Sequence, residues 1–151
     1  MMSSVISAFT RWNGSGWSAP QNFATVADPL LKYDLAYDGT NAHLVMSLDT
    51  DGDLQTIGDH ELFRLAYQNQ SWGALEQLTT DAVVDDNPQL AVDPGGRFVL
   101  VWLRRNEISS VVDFDFAERE LVRQEPEYSS NLADFTLGGA EDGRLALVWT
   151  E

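Results

Sequence analysis

The chain has no cysteine, which excludes disulfides, thiolate metal sites and cysteine nucleophiles. Positive charge is scarce: nine Lys and Arg face 24 Asp and Glu, for a formal net charge of -15. A phosphate-tracking protein draws affinity from basic residues that release counterions, so no nucleic-acid partner is expected. An anionic membrane surface is disfavoured for the same reason. No apolar run approaches the roughly 18 to 20 residues that cross a bilayer. The opening MMSSVISAFT has neither the charged start nor the continuous apolar stretch of a secretory signal. What remains is ordinary globular material. Hydrophobic residues make up 44% of the 151 and aromatics 11%, enough for one domain with a core rather than a disordered chain.

An internal repeat organises that material. Shifted by 55 residues, Trp17 falls on Trp72 and Leu35-Ala36-Tyr37-Asp38 on Leu90-Ala91-Val92-Asp93 without a gap. Residues 12–47 against 67–102 give seven identities in 36 pairs, where roughly two follow from composition. Other pairs are apolar on apolar, among them Trp12 with Tyr67, Val45 with Leu100 and Met46 with Val101, while His43 falls on Phe98. A second shift, of 47, puts Gly96–Trp102 on Gly143–Trp149 with five of seven residues identical.

The unit reads as four short strands, A to D. Strand A is Pro88–Asp93, followed by the tight turn Pro94-Gly95-Gly96. Strand B is Arg97–Trp102, nearly continuous in apolar residues, as a strand covered on both faces would be. Strand C is Leu62–Tyr67, where the alternation Phe63, Leu65, Tyr67 predicts one buried face. Strand D is Trp72–Leu78. Turn residues interrupt every apolar run before two helical turns are complete. The expected class is therefore all-β, with units of four antiparallel strands at about 45 to 55 residues, the spacing of propeller blades.

The segment Asn87–Trp102 carries the pattern N-P-x-L-A-x-D-x-x-G-x-x-x-x-V-W. It resembles the degenerate blade repeats of bacterial β-propeller proteins, and the similarity extends over nearly the whole chain. The resemblance implies a propeller architecture. Because many of those proteins are secreted or displayed on cells, it also implies an extracellular or cell-surface location. It implies no particular activity, since many functions share the motif.

Along the chain the strands read C (Ile6–Trp12), D (Trp17–Phe23), A (Asp34–Asp38), B (Ala42–Ser47), C and D. A second set follows: A (Pro88–Val92), B, C (Ser110–Phe116) and a weak D around Leu121, then a last A (Leu132–Leu137) and B (Arg144–Thr150). The expected organisation is a single partial propeller domain over residues 1–151. Strands C–D of a split blade occupy 1–27, blade one 28–82, blade two 83–127, and strands A–B of a split blade 128–151. Three blades' worth cannot close a ring when propellers run from about four to eight blades, and half-blades leave strand edges unpaired. A homo-oligomer, specifically a head-to-tail dimer, would close at six. Neighbouring blades of a longer chain are the other way to complete it.

Candidate chemistry is sparse. In the long loop between strands B and C of blade one, Asp49, Asp51 and Asp53 surround Gly52, and their oxygens could converge on Ca²⁺. The register is imperfect, because Ser47 stands where a leading carboxylate belongs and Gly58 where a bidentate Glu belongs; a solvated Asp/Gly turn is the plainer alternative. No other cofactor is suggested. Trp12 precedes the flexible Asn13-Gly14-Ser15-Gly16 and is the tryptophan best placed to reach solvent, and so a candidate for ligand contact; its repeat partner Tyr67 is also aromatic, so strand-end packing is the plainer alternative. The other four repeat in phase, as packing residues would. Arg104-Arg105 offers a carboxylate clamp for an acidic ligand or a partner's Asp, or else a solvated hairpin tip. No nucleophile motif and no catalytic residue is assigned. The expected function is a non-enzymatic binding or scaffold module taking a carbohydrate or protein ligand. A lectin-like propeller and a fragment of a glycosidase-type propeller are the alternatives.

Overall fold

A computed structural model of the protein describes residues 5–26, 30–53, 55–56, 58–93, 95–104, 107–112, 134–139 and 144–150. Among the described residues there are twelve strands and no helix: β1 (Val5–Phe9), β2 (Gln21–Val26), β3 (Leu30–Tyr37), β4 (Ala42–Asp49), β5 (His60–Gln68), β6 (Ser71–Trp72), β7 (Glu76–Gln77), β8 (Asp85–Val92), β9 (Phe98–Arg104), β10 (Glu107–Val112), β11 (Asp134–Gly139) and β12 (Leu145–Thr150). The fold is all-β, and every ladder is antiparallel. The strands form four sheets in chain order: β1-β2, then β3-β4-β5-β6 with β7 also on β5, then β8-β9-β10, then β11-β12. The fourth strand expected around Leu121 and residues 113–116 of the third lie outside the described residues.

The repeat is written into the pairing. In the first sheet Ala8 pairs with Asn22 and Phe9 with Gln21; 55 residues on, Phe63 pairs with Gln77 and Arg64 with Glu76. The bridge Trp12–Trp17 recurs as Tyr67–Trp72. The hairpins β3-β4, β8-β9 and β11-β12 likewise share one register: Leu35 with Leu44, Leu90 with Leu100, and Leu137 with Leu147.

That register corrects the gap-free alignment of strand B. The turn from Asp93 to Arg97 is one residue longer than that from Asp38 to Asn41, whose closing bonds are Asp93 N–H to the Arg97 carbonyl and Asp38 N–H to the Asn41 carbonyl. Beyond the turn the true offset is therefore 56. His43 corresponds to Val99 rather than Phe98, and Val45 to Val101 rather than Leu100. A one-residue slip exchanges the two faces of a strand, so this difference decides what each side chain touches. The aspartates that the repeat shares have the same local task. Asp38 Oδ1 accepts the N–H groups of Thr40 and Asn41 at 2.7 and 2.6 Å, and Asp93 Oδ1 accepts that of Arg97 at 2.9 Å. The positive φ these turns require is supplied by Gly39 and Gly96.

Burial follows the stacking of sheets. All eight residues of β4 are buried, as are Phe98–Trp102 of β9. One core lies between the second and third sheets, where Ala36, Val45 and Leu62 meet Leu90, Phe98, Leu100 and Trp102. Val99 and Val101, on the other face of β9, pack against Leu137 and Leu145 of the fourth sheet. Strand β5 departs from its expected single buried face. Leu62 and Arg64 on the opposite side are 0% and 3% exposed, because the third sheet covers Leu62 and Glu76 meets the Arg64 guanidinium. In β8 a bulge between Asp86 and Gln89 places Asn87 at φ 51, and the adjacent Pro88, which has no N–H to donate, is fully buried there.

Candidate functional site

Two places gather chemistry. The first is an open groove of about 690 Å³ between the first and second sheets, lined chiefly by aromatic and apolar side chains that include Trp12, Leu35, Tyr37, Tyr67 and Trp72. Strand pairing places its rings. The Trp12–Trp17 bridge holds those indoles edge to face at 5.5 Å, and Phe9 at the end of β1 meets Tyr67 and Trp72 at 6.2 and 5.8 Å. Arg11 Nη1 donates to the Tyr67 hydroxyl at 2.7 Å. Trp12, expected to be the tryptophan best placed to reach solvent, is 56% exposed, and Trp17 is more open still at 68%. Trp17 was expected to pack like its repeat partner Trp72. Trp72 is half-buried by β5 and Phe9, whereas Trp17 has its ring contact with Trp12 and stays open. Alternate residues of β3 continue the open surface, with Tyr33, Leu35 and Tyr37 at 66%, 48% and 53% exposure.

The second place is the β4–β5 loop. Carboxylate oxygens of Asp49, Asp51 and Asp59 lie within 4.8 Å of one another. Asp49 is fully buried: Oδ1 accepts the Gly52 N–H at 2.7 Å, and Oδ2 has no hydrogen-bond donor among the described residues. Asp59 Oδ2 accepts the Asp51 N–H at 3.0 Å, and among the described residues its Oδ1 has no donor either. Burial works to raise the Asp59 pKa, but hydrogen bonds, led by that from Asp51, hold it below the ordinary carboxylate value. Gly52 turns the chain with φ 79. Asp53 is not one of this group; its Oδ1 accepts the Gln55 N–H at 3.1 Å and its carbonyl the Thr56 N–H at 2.9 Å. Counting along the loop missed Asp59. The signal lay in the hairpin: Asp49 pairs with His60 at the end of the ladder, so Asp59, the next residue out on β5's side, returns opposite Thr50, one residue from Asp49.

Arg104 is spent within its own chain. Nη1 bonds both oxygens of the fully buried Asp85 at 3.1 and 3.0 Å, and Nη2 pairs with Asp81. Asp85 Oδ1 also accepts Trp102 Nε1–H at 2.8 Å, and its carbonyl accepts Ser47 Oγ–H at 3.1 Å. Burial pushes the Asp85 pKa up, against the pull of Trp102 and Arg104. The clamp that the sequence suggested thus closes on the protein's own carboxylates. Arg105 lies outside the described residues. His43, 4% exposed, packs edge to face on Phe98 at 4.4 Å, and burial, helped by Arg64, lowers its pKa to about 4 against the opposing pull of Asp38.

Comparison of the chain with protein families, curated proteins and solved structures finds no match.

Proposed function

We propose that this chain is a non-enzymatic binding or scaffold module of β-propeller type, whose four sheets are whole and half blades. The observation that carries this reading is the line made by the first strands of the second, third and fourth sheets. β3 lies against β8 and β8 against β11, and the Asp34 carboxylate accepts the Leu90 N–H across the first of these junctions at 2.7 Å. In a propeller the innermost strands of neighbouring blades meet in this way around a channel. Loops at the two ends of such a ring gather from every blade, and a ligand or protein partner would be held there. Electron-microscopic class averages should show a ring with a central channel. A panel of chromogenic glycosides should show no turnover, and turnover that depends on one Asp or Glu would overturn the non-enzymatic reading in favour of a glycosidase.

A second reading, a lectin, has its own observation in the exposed Trp12–Trp17 pair beside Arg11, since aromatic faces stack on pyranose rings. It predicts binding on a glycan array that Trp12→Ala removes without changing thermal stability. If no glycan binds, the tryptophans are packing surface. An extracellular or cell-surface setting accords with either reading.

A further inference from the structure

The exposed stripe on β3 has an internal control. Tyr33, Leu35 and Tyr37 occupy the repeat positions of Pro88, Leu90 and Val92 on β8. Pro88 and Leu90 are buried, and Val92 packs on the core formed with Ala36, Val45 and Leu62 of the preceding sheet. Those covering residues belong to β3, β4 and β5. Ahead of β3 the preceding sheet is β1-β2, which by its register supplies only the outer strand positions C and D. Among the described residues, no inner pair A and B stands ahead of Tyr33, Leu35 and Tyr37. The fourth sheet has the complementary composition: β11 and β12 stand at positions A and B, and among the described residues they pair only with each other. On β12, Val148 corresponds to the fully buried Val45 yet is 60% exposed.

We infer that the β11-β12 hairpin of a second copy docks between β1 and β3, with β12 pairing antiparallel along the edge of β1 away from β2, an edge that pairs with no strand among the described residues. This deepens the propeller reading and rests on it. The register follows from the intact sheet, where Val45 pairs with Arg64 and Met46 with Phe63. Carried through the repeat offsets, Val148 of one copy pairs with Phe9 of the other, and Trp149 with Ala8. Two such junctions related by a two-fold axis close six blades, pair the β1 and β12 edges of both copies, and cover Leu35 as Leu90 is covered. A second copy is the occupant that the repeat specifies, because this chain itself carries the missing strand pair in the matching register.

The absence of cysteine makes the register directly readable. Phe9→Cys and Val148→Cys chains, mixed and oxidised, should give a covalent dimer in high yield. Phe9→Cys with Leu147→Cys, one residue out of register, should give little. Light scattering on wild type at physiological salt should give about 34 kDa, twice 16.8 kDa, and Val148→Asp should give a monomer with unchanged circular dichroism. A wild-type monomer would overturn the docking. A dimer that cross-links equally well out of register would overturn the strand pairing. Failure of the register alone leaves the propeller reading to the ring images. A wild-type monomer, whose three blades' worth cannot close a ring, leaves it to the intrachain junction of β3 with β8, where Asp34→Ala should cost stability by freeing the Leu90 N–H.

Discussion

His43 gives the protein an acid-sensitive point whose size can be worked out. Its pKa is about 4 in the folded chain, lowered by burial first and by Arg64 second, against an ordinary value of 6.5. Between those two values the unfolded chain binds a proton at this residue and the folded chain does not. Stability is therefore fully present above pH 6.5 and is lost progressively as pH falls towards 4. One pKa unit is worth about 1.4 kcal/mol, so the loss approaches about 3 kcal/mol below pH 4 and has reached about 2 kcal/mol at pH 5. Two buried carboxylates work in the opposite direction. Glu61 and Asp85 have raised pKa values, mainly through burial, so the folded state takes up their protons first and gains stability as pH falls. The His43 contribution is isolated by comparing wild type with His43→Phe, which keeps a ring against Phe98 but cannot titrate. Urea unfolding at fixed protein concentration, at pH 7.5 and pH 5, should show wild type losing about 2 kcal/mol more than the variant. Identical losses would mean that His43 is protonated in the folded state and that its burial is misassigned.

Three further outcomes follow from the buried charges. Glu76→Ala strips a carboxylate from the Arg64 guanidinium, whose side chain is 4% exposed, and should cost roughly 2 to 4 kcal/mol in urea unfolding; a cost below about 0.5 kcal/mol would show that water replaces it. Asp85→Ala takes acceptors from Trp102 and Arg104 together and should cost about 3 kcal/mol or more, while Asp85→Asn, which can still accept from the indole, should cost distinctly less. Calcium at millimolar concentration should raise the melting temperature through Asp49, Asp51 and Asp59, an effect that Asp59→Asn abolishes and Asp53→Asn spares. An unchanged melting temperature with and without chelator would remove the metal.

The strand pattern was legible because it rests on local chemistry. Turn residues broke every apolar run, and the repeated Asp38 and Asp93 marked hairpins that they do close, by accepting backbone N–H groups. The offset of 55 was legible for the same reason, and it reappears in the pairing of β1-β2 and β5-β7. What the sequence hid was the extra residue in the turn after Asp93. No identity follows Asp38 in that alignment to expose the slip, and a strand of Phe, Val, Leu and Val looks alike in either register. Asp59 was hidden because a loop read as a linear series of ligands gives no sign of which residue the hairpin returns to Asp49. Arg104 looked like a tip because its partners Asp81 and Asp85 lie about 20 residues back, brought opposite by the β8–β9 ladder.

Burial in a repeat chain is set by what the neighbouring unit supplies, not by the residue itself, and Leu35 and Leu90 put that to a test. The two are the same residue at the same position of the same motif, yet one is 48% and the other 7% exposed. Leu90→Ala removes a side chain packed among Val45, Leu62 and Leu100, and should cost about 2 to 4 kcal/mol at any protein concentration. Leu35→Ala in an isolated chain removes a half-exposed side chain and should cost about 1 kcal/mol or less. If a second copy covers β3, the cost of Leu35→Ala must grow with concentration, because mass action then couples unfolding to dissociation. Melting temperatures of both variants across a hundredfold concentration range separate these cases. A Leu35→Ala deficit that widens towards that of Leu90→Ala means the two leucines share one environment in the assembled protein. A deficit that stays small and flat means the face of β3 remains in water, and the repeat is not completed by a second copy.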